Sequence, residues 1–209
     1  MLTRSVRAPL AAAVLSLLPV VASADRGALS VDAGPVVSAL RSPPAIGTGD
    51  AVFGTLGGAA FGVRYALQNY LEVSVNGSWF NPVRFYNDNT VVSAAGGSTV
   101  SGKLQAKVGR IAATAGLDYV RGDVWRTHVG AQIGWANLTY ENVSHSAGLT
   151  YGTTNLDALV VAPRVGLEWC ITDHISVSAM PTLEFLVGSR NLTAFTLPVL
   201  FSYSWYSLL

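Results

Sequence analysis

Residues 125–135 read WRTHVGAQIGW, and the pattern in this segment recurs through most of the chain. Counting from Trp125, every second residue is apolar or a threonine, and Trp135 closes the series. The positions between them hold polar residues or glycine, namely Arg126, His128, Gly130, Gln132 and Gly134. Because successive side chains of a strand point to opposite faces, a period of two predicts a β-strand with one apolar and one polar face.

Eight segments of the chain alternate in this way. They lie at 29–37, 53–65, 71–79, 111–119, 125–135, 159–169, 175–187 and 195–205. In each segment one parity is almost uncharged, whereas nearly every charge falls on the other parity. We therefore predict an all-β fold, an eight-stranded antiparallel up-and-down barrel.

Alternation alone is equally typical of a soluble barrel, whose apolar face points inward, and of a membrane barrel, whose apolar face points outward. The connections between the segments favour the membrane barrel, because long polar stretches are predicted at 39–50, 82–102 and 141–157, with short ones at 67–70, 121–124 and 172–174. Long loops at one end and tight turns at the other are typical of transmembrane barrels. The segments are also long enough for tilted strands to cross the hydrocarbon of a bilayer.

The tryptophans favour the same interpretation. All of them lie on the apolar parity near segment ends: Trp79, Trp125, Trp135, Trp169 and Trp205. Aromatic side chains are enriched at the two membrane interfaces of transmembrane barrels. We predict these five as membrane-interface residues, with a soluble periplasmic barrel as the structural alternative.

The polar parity would then line the barrel interior. Its charged members in the strands include four basic and four acidic residues: Arg64, Glu72, Arg110, Asp118, Arg126, Arg164, Glu168 and Glu184. Eight strands enclose an interior that side chains alone can fill. We predict that these charges form a paired network that plugs the barrel, because charges removed from bulk water must be paired or stay hydrated. The alternative is a water-filled lumen in which each charge is solvated separately.

His128 also lies on the polar parity, and we interpret it as a hydrogen-bonded core histidine.

The first 24 residues are typical of a cleaved secretory signal peptide. Arg4 and Arg7 form its charged region, residues 8–22 its apolar region, and Ala22-Ser23-Ala24 its cleavage site. This prediction divides the chain into a signal peptide, 1–24, and a barrel domain, 25–209.

The composition of the whole 209-residue sequence excludes several classes of protein. With 12% charged residues, a net charge of +1 and one cysteine, neither nucleic-acid binding nor a multi-cysteine metal site is expected, and we predict no metal and no cofactor.

The signal peptide, the eight alternating segments and the last strand together resemble the small outer-membrane β-barrel proteins of Gram-negative bacteria, similar to the transmembrane domain of outer-membrane protein A. In that family the last strand ends in a signal read by the barrel-assembly machinery. The resemblance assigns this signal to Phe201, Tyr203, Trp205 and Leu209, although Leu209 stands where an aromatic residue is usual. It implies localisation in the bacterial outer membrane. The implied partners are outer-membrane lipids, lipopolysaccharide and the assembly machinery.

We expect a non-enzymatic barrel with a role in envelope integrity or in surface contact through its extracellular loops. An extracellular ligand would bind residues of the long loops, with Tyr86, Asn87, Asp88, Asn89, Tyr140 and Tyr151 as contact groups. A narrow pore is the alternative. A lipid A-modifying enzyme is a less favoured alternative. His174-Ile175-Ser176, with Glu184 nearby in the sequence, resembles the His-x-Ser pair of lipid A deacylase barrels. However, Val177 stands where that family has an asparagine, and the segment is predicted at the periplasmic end of the barrel.

Overall fold

The computed structural model describes residues 26–205, except for the side chain of Ala95. The predicted signal peptide and the assembly-signal residue Leu209 therefore lie outside the described residues. The strands are Leu29–Ser42 (β1), Val52–Gln68 (β2), Leu71–Ser93 (β3), Thr99–Arg121 (β4), Trp125–His145 (β5), Thr154–Cys170 (β6), Ile175–Ala179 (β7), Thr182–Gly188 (β8) and Leu192–Trp205 (β9). A short 3₁₀ turn, Ala95–Gly97, lies between β3 and β4.

All strand pairings are antiparallel, and β9 pairs with β1 to close the sheet into a barrel. Strands β7 and β8 both pair with β6 on one side and β9 on the other, so together they occupy one position in the wall. Pro181 lies between them and has no N–H to donate, although its carbonyl still accepts from Val165 N at 3.2 Å. The predicted eight-stranded barrel is confirmed, with one strand interrupted by proline.

Alternation continues through this interruption. Leu183 and Phe185 of β8 are exposed on the same parity as Ile175 of β7, while Ser176 and Glu184 are buried on the other. The side-chain period is a property of the extended backbone, so it survives the loss of a ladder hydrogen bond. For this reason the segment 175–187 could be predicted as a single strand.

The predicted long connections were too long. The structure places them at 43–51, 94–98 and 146–153, because β3 and β4 each run to 23 residues and β5 to 21. The polar sequence around residues 84–92 has no continuous apolar alternation, yet its backbone pairs with β4 through two register shifts, beside Phe80–Val83 and Asn87–Thr90. Cross-strand backbone hydrogen bonds need no apolar side chains, so strands can continue where the apolar pattern ends.

We call the end of the barrel with connections 43–51, 94–98, 146–153 and 189–191 the loop end, and the other, with connections 69–70, 122–124 and 171–174, the turn end. A β3–β4 hairpin, residues 83–108, projects at the loop end. The loop 43–51 packs against it through paired hydrogen bonds between Thr48 and Val91, with N–O distances of 3.0 and 2.7 Å. In the part of the chain that is described, no helix is both long and apolar enough to cross a bilayer.

The exterior of the barrel wall is apolar. Large hydrophobic side chains are exposed on every strand, including Val75 at 66%, Phe61 at 60% and Val129 at 58%. A soluble protein rarely exposes a contiguous apolar surface of this extent. The outward-facing parity is therefore the one that the sequence predicts as lipid-facing.

The five tryptophans are all exposed on this exterior, by between 44% and 56%. Trp125 stacks on Trp169 at the turn end, with ring centroids 5.8 Å apart, and Tyr203 meets Trp205 edge-on at 4.8 Å. Trp135 lies ten residues along β5 from Trp125. At roughly 3.4 Å per residue and a tilt of about 40°, these two rings are separated by about 26 Å along the barrel axis, close to the roughly 25 Å height of a lipid-facing belt.

Candidate functional site

The barrel interior changes character along its axis. Its turn-end half holds buried charged and hydroxyl side chains, whereas most of the buried side chains in its loop-end half are apolar. Both sets lie on the same parity of the strands. Whether these side chains close the barrel distinguishes a plugged barrel from a pore.

Arg64 of β2 is the centre of the polar half. Its Nε donates to Asp32 Oδ2 at 2.8 Å, and its Nη2 donates to Asp32 Oδ1 at 3.1 Å. Nη1 donates to Glu72 Oε2 at 3.3 Å, and Nη2 to Glu168 Oε1 at 2.9 Å and to Ser202 Oγ at 3.0 Å. All these side chains are buried. One guanidinium therefore binds three carboxylates from three different strands, and we call this group the Arg64 cluster.

Two further side chains extend the Arg64 cluster. His128 Nε2 lies 2.9 Å from Glu168 Oε2, and its Nδ1 lies 3.9 Å from Glu72 Oε2. The Ser176 hydroxyl donates to Glu168. Asp32 and His128 were not assigned to the charge network, although both lie on the interior parity. Strand parity alone was the signal that could have placed them there.

A second buried ion pair lies one level nearer the loop end. Arg164 donates from Nε to Asp118 Oδ1 at 2.7 Å and from Nη2 to Ser74 Oγ at 2.8 Å. Gly116 and Gly130 flank this pair: a Cβ on Gly116 would lie 2.8 Å from Arg164 Nη2, and one on Gly130 would lie 2.2 Å from Asp118 Oδ1. The interior glycines thus make room for the arginine and its carboxylate.

The third ion pair joins Arg110 Nη1 and Glu184 Oε2 at 2.6 Å. The guanidinium of Arg110 also lies over the ring of Phe80, 5.2 Å from its centroid. Both Arg110 and Glu184 are buried, and the Nε and Nη2 of Arg110 have no hydrogen-bond partner within residues 26–205. Glu184 also lines a cavity of about 50 Å³, enough space for a few water molecules, together with polar residues such as Thr114 and Gln132 and apolar ones such as Val36 and Leu200.

Arg126 differs from the other seven residues of the predicted network. It is only half-buried, and it forms no ion pair with any carboxylate that the structure describes. Arg126 lines a pocket of about 330 Å³ at the turn end, together with Cys170 and His174. The structure thus places seven of the eight predicted charges in three buried groups and the eighth at the rim.

The loop-end half of the interior is filled by apolar side chains that are at most 1% exposed. We call this set the apolar layer: Leu40, Leu56, Phe80, Leu104, Val108, Leu138 and Leu186. They belong to one packed core that includes residues from β1 to β9. The charge-based analysis did not predict this layer, because it considered the charged residues of the interior parity and not its leucines.

The residues predicted as surface contact groups divide into two sets. Tyr86 is 49% exposed, and Asp88 is exposed and pairs with Lys103 Nζ at 3.2 Å. Asn89, at the second register shift of β3, is exposed with a φ of 54°. Tyr151 is half-buried.

Asn87 and Tyr140 are not surface residues, and their prediction as contact groups was wrong. Both are 4% exposed. Asn87 Nδ2 donates to the carbonyl oxygens of Asp50 at 3.0 Å and Ser42 at 3.4 Å, and the Tyr140 hydroxyl lies 2.9 Å from Ser42 Oγ. Tyr140 lies on the interior parity of β5, whereas Asn87 faces the interior because the register shift between Phe80 and Val83 turns the odd-numbered residues of β3 inward.

His174 and Ser176 have separate partners at the turn end. His174 Nδ1 lies 2.9 Å from the carbonyl oxygen of Ser204, and its ring stacks on Tyr203. The Ser176 hydroxyl donates to Glu168 and is buried. A serine nucleophile needs its hydroxyl available to a base, whereas this hydroxyl is bound by the Arg64 cluster.

Comparison with known proteins gives matches of structure but not of sequence. No protein-family model and no curated protein sequence matches the chain. The attachment invasion locus protein Ail of Yersinia pestis, solved with the heparin analogue sucrose octasulfate, matches with a TM-score of 0.56 and 14% identity over 86% of this chain and 99% of its own.

Two other solved structures match over a similar share of the chain. Neisserial surface protein A has a TM-score of 0.55 at 12% identity over 85% of this chain, and OprG of Pseudomonas aeruginosa has 0.50 at 12% over 88%. Each is covered over 99% of its own length. The predicted resemblance is confirmed at the level of the fold. With its closed wall and its apolar exterior, the chain has the fold of the small outer-membrane β-barrel proteins, and the bacterial outer membrane is where this barrel belongs.

Proposed function

We propose that this protein is a closed, non-enzymatic outer-membrane barrel that makes contacts at the cell surface through its loop end. The observation that carries the proposal is the β3–β4 hairpin, which continues fourteen residues past Trp79 on β3. At about 3.4 Å per residue and a tilt of about 40°, this extension reaches about 36 Å beyond the aromatic belt. A structure of that length stands clear of the lipid headgroups.

The hairpin is a rigid platform. Its inner face packs Phe85 and Leu104 into the hydrophobic core, each at most 4% exposed. Its outer face is more polar than the belt, although Val83 and Val91 are exposed there, and the register places Arg84 opposite Lys107 and Tyr86 opposite Gln105. Recognition surfaces are commonly displayed in this way, on segments held by a rigid scaffold.

Closure of the interior supports surface contact over transport. The apolar layer fills the loop-end half, and the three ion pairs fill much of the turn-end half. The 50 Å³ cavity beside Arg164 and Glu184 is too small for a continuous water column. An eight-stranded barrel has room for side chains rather than for a channel.

Planar-bilayer recording tests this closure. We expect the purified protein to show no stable conductance steps in bilayers where a general porin conducts. The double variant Phe80→Ala/Leu138→Ala removes two side chains of the apolar layer and should raise the current. Phe61→Ala/Leu159→Ala, which shortens two exposed side chains on the lipid face, should not. Steady high conductance of the unmodified protein would instead establish the pore.

Cell adhesion tests the contact role. The neighbour Ail was solved with a sulfated heparin analogue, so immobilised heparin is a suitable first surface. We expect cells that display this protein to bind it, and Arg84→Ser/Lys107→Ser to reduce binding by about threefold or more, with a further decrease at high salt. The control Arg26→Ser/Arg121→Ser removes the same charge at the turn end. Equal binding by both variants would remove the hairpin from the proposal.

The non-enzymatic part of the proposal rests on the turn end. A lipid A-modifying site needs an accessible nucleophile beside its base. Ser176 is buried with its hydroxyl on Glu168, and His174 Nδ1 lies against the Ser204 carbonyl. These two contacts favour a structural role for Ser176 and His174.

A further inference from the structure

A pocket of about 230 Å³ opens at the loop end. Its walls come from three places that are distant in sequence: Pro44 and Ala45 of the first loop, Thr154–Leu156 at the start of β6, and the β8–β9 connection at Ser189 and Arg190. Tyr140 of β5 also lines the pocket. We call it the loop-end pocket. Because it shares no lining residue with the hairpin, it is a separate feature from the proposed contact surface.

Arg190 gives the loop-end pocket its charge. The side chain is half-buried, and its Nη1 donates to the carbonyl oxygen of Pro44. Across residues 26–205 it forms no ion pair with a carboxylate, and the pocket lining contains neither Asp nor Glu. A partly desolvated cation without a counter-charge is unfavourable unless an anion reaches it. The pocket is therefore electrostatically complementary to an anionic ligand.

The other lining groups resemble those that bind a polyhydroxylated ring. Thr154, Asn155 and Ser189 supply hydroxyl and amide groups that can both donate and accept hydrogen bonds. Leu156 and Pro44, both buried, supply an apolar floor. A few placed polar groups over an apolar surface are the usual composition of a small-molecule site.

The size of the pocket limits the ligand. Sites for drug-sized molecules usually have about 300–1,000 Å³, so 230 Å³ fits one sugar ring rather than an oligosaccharide. Guanidinium groups bind carboxylates and sulfates through paired N–H donors. We propose that the loop-end pocket binds a single acidic sugar residue, with its carboxylate or sulfate on Arg190 and its hydroxyls on Thr154, Asn155 and Ser189.

Ligand-observed saturation-transfer NMR on the folded protein in lipid nanodiscs tests the proposal. The probes are glucuronate, glucose 6-sulfate and uncharged glucose. A ligand of this size with one charged contact should bind with a Kd of about 1 mM. We expect the two anions to bind and glucose to be at least about tenfold weaker. Comparison of the two anions then distinguishes a carboxylated from a sulfated sugar as the natural ligand.

Variants locate the binding. Arg190→Gln should weaken both anions by about tenfold or more, whereas Arg26→Gln, which removes an exposed arginine at the turn end, should leave them unchanged. Because Arg190 also holds Pro44, Asn155→Ala provides a variant that keeps the arginine in place, and it should weaken binding by about threefold or more. Each variant is first shown to keep the folded mobility of the parent on unheated gels.

Three results would overturn the proposal. Glucose binding as tightly as glucuronate would show that charge is not recognised. Equal losses for Arg190→Gln and Arg26→Gln would show diffuse attraction rather than a site. Unchanged binding by Asn155→Ala together with loss by Arg190→Gln would place the anion outside the pocket. None of these results depends on adhesion by the hairpin, so the two proposals can fail separately.

Discussion

Replacement of Arg64 by alanine is expected to destabilise the barrel by about 3–5 kcal/mol, the range for breaking a buried ion pair by removing one partner. Arg64 is the only cation within hydrogen-bond distance of Asp32 in the described structure, and it is shared with Glu72 and Glu168. Its side chain is 4% exposed. Without it, three carboxylates remain buried with His128 as their nearest basic group.

Urea titration in detergent micelles measures this loss. The folded fraction at each urea concentration is the fraction that migrates as the compact form on unheated gels. Arg84→Ala is the matched control, because Arg84 is exposed on the hairpin, and surface substitutions usually stay within about 0.5 kcal/mol. Equal midpoints for the two variants would show that the Arg64 cluster does not stabilise the fold.

A double variant tests the physical cause. Adding Glu168→Gln to Arg64→Ala removes one of the buried charges that the alanine leaves unpaired. We expect the double variant to be more stable than the sum of the two single changes predicts, by about 0.5–3 kcal/mol, because the two residues interact directly. Simple additivity would mean that the loss arises from packing around the arginine rather than from its charge.

A charge on the lipid face should have the second-largest effect. Val129 lies on β5 between the tryptophans at 125 and 135 and is 58% exposed. Val129→Arg should destabilise the barrel in lipid by about 2–4 kcal/mol, the cost of arginine near the bilayer midplane of a transmembrane barrel. The measurement is urea unfolding in phospholipid vesicles.

Ser101→Arg is the control for that variant. Ser101 is also exposed and faces outward, but it lies on the projecting part of β4. Its substitution should change stability by no more than about 0.5 kcal/mol. If Val129→Arg were as mild as Ser101→Arg, the exterior at Val129 would face water, and the apolar surface would not be a membrane belt.

The sequence predicts the side of the barrel wall on which a residue lies, but not where the longest strands end. Parity assigned Arg64, Asp118 and Glu184 to the interior and Trp125 and Val129 to the exterior, and the structure places each on that side. The strand ends around 82–102 were not predicted, because backbone pairing continues where the apolar pattern has ended. Asn87 and Tyr140 were therefore expected at the surface, although they lie inside the extended barrel.

The amino-acid sequence alone determines the strand segments, the face on which each side chain lies and the polarity of those faces. These are local properties, since a period of two needs only a few consecutive residues. Only the tertiary structure decides which charges meet. Arg64 and Glu168 are 104 residues apart and meet across the interior, and Arg190 lies beside Pro44 from the other end of the chain. Such contacts depend on the register and stagger of all eight strand positions in the closed barrel, which no single segment encodes.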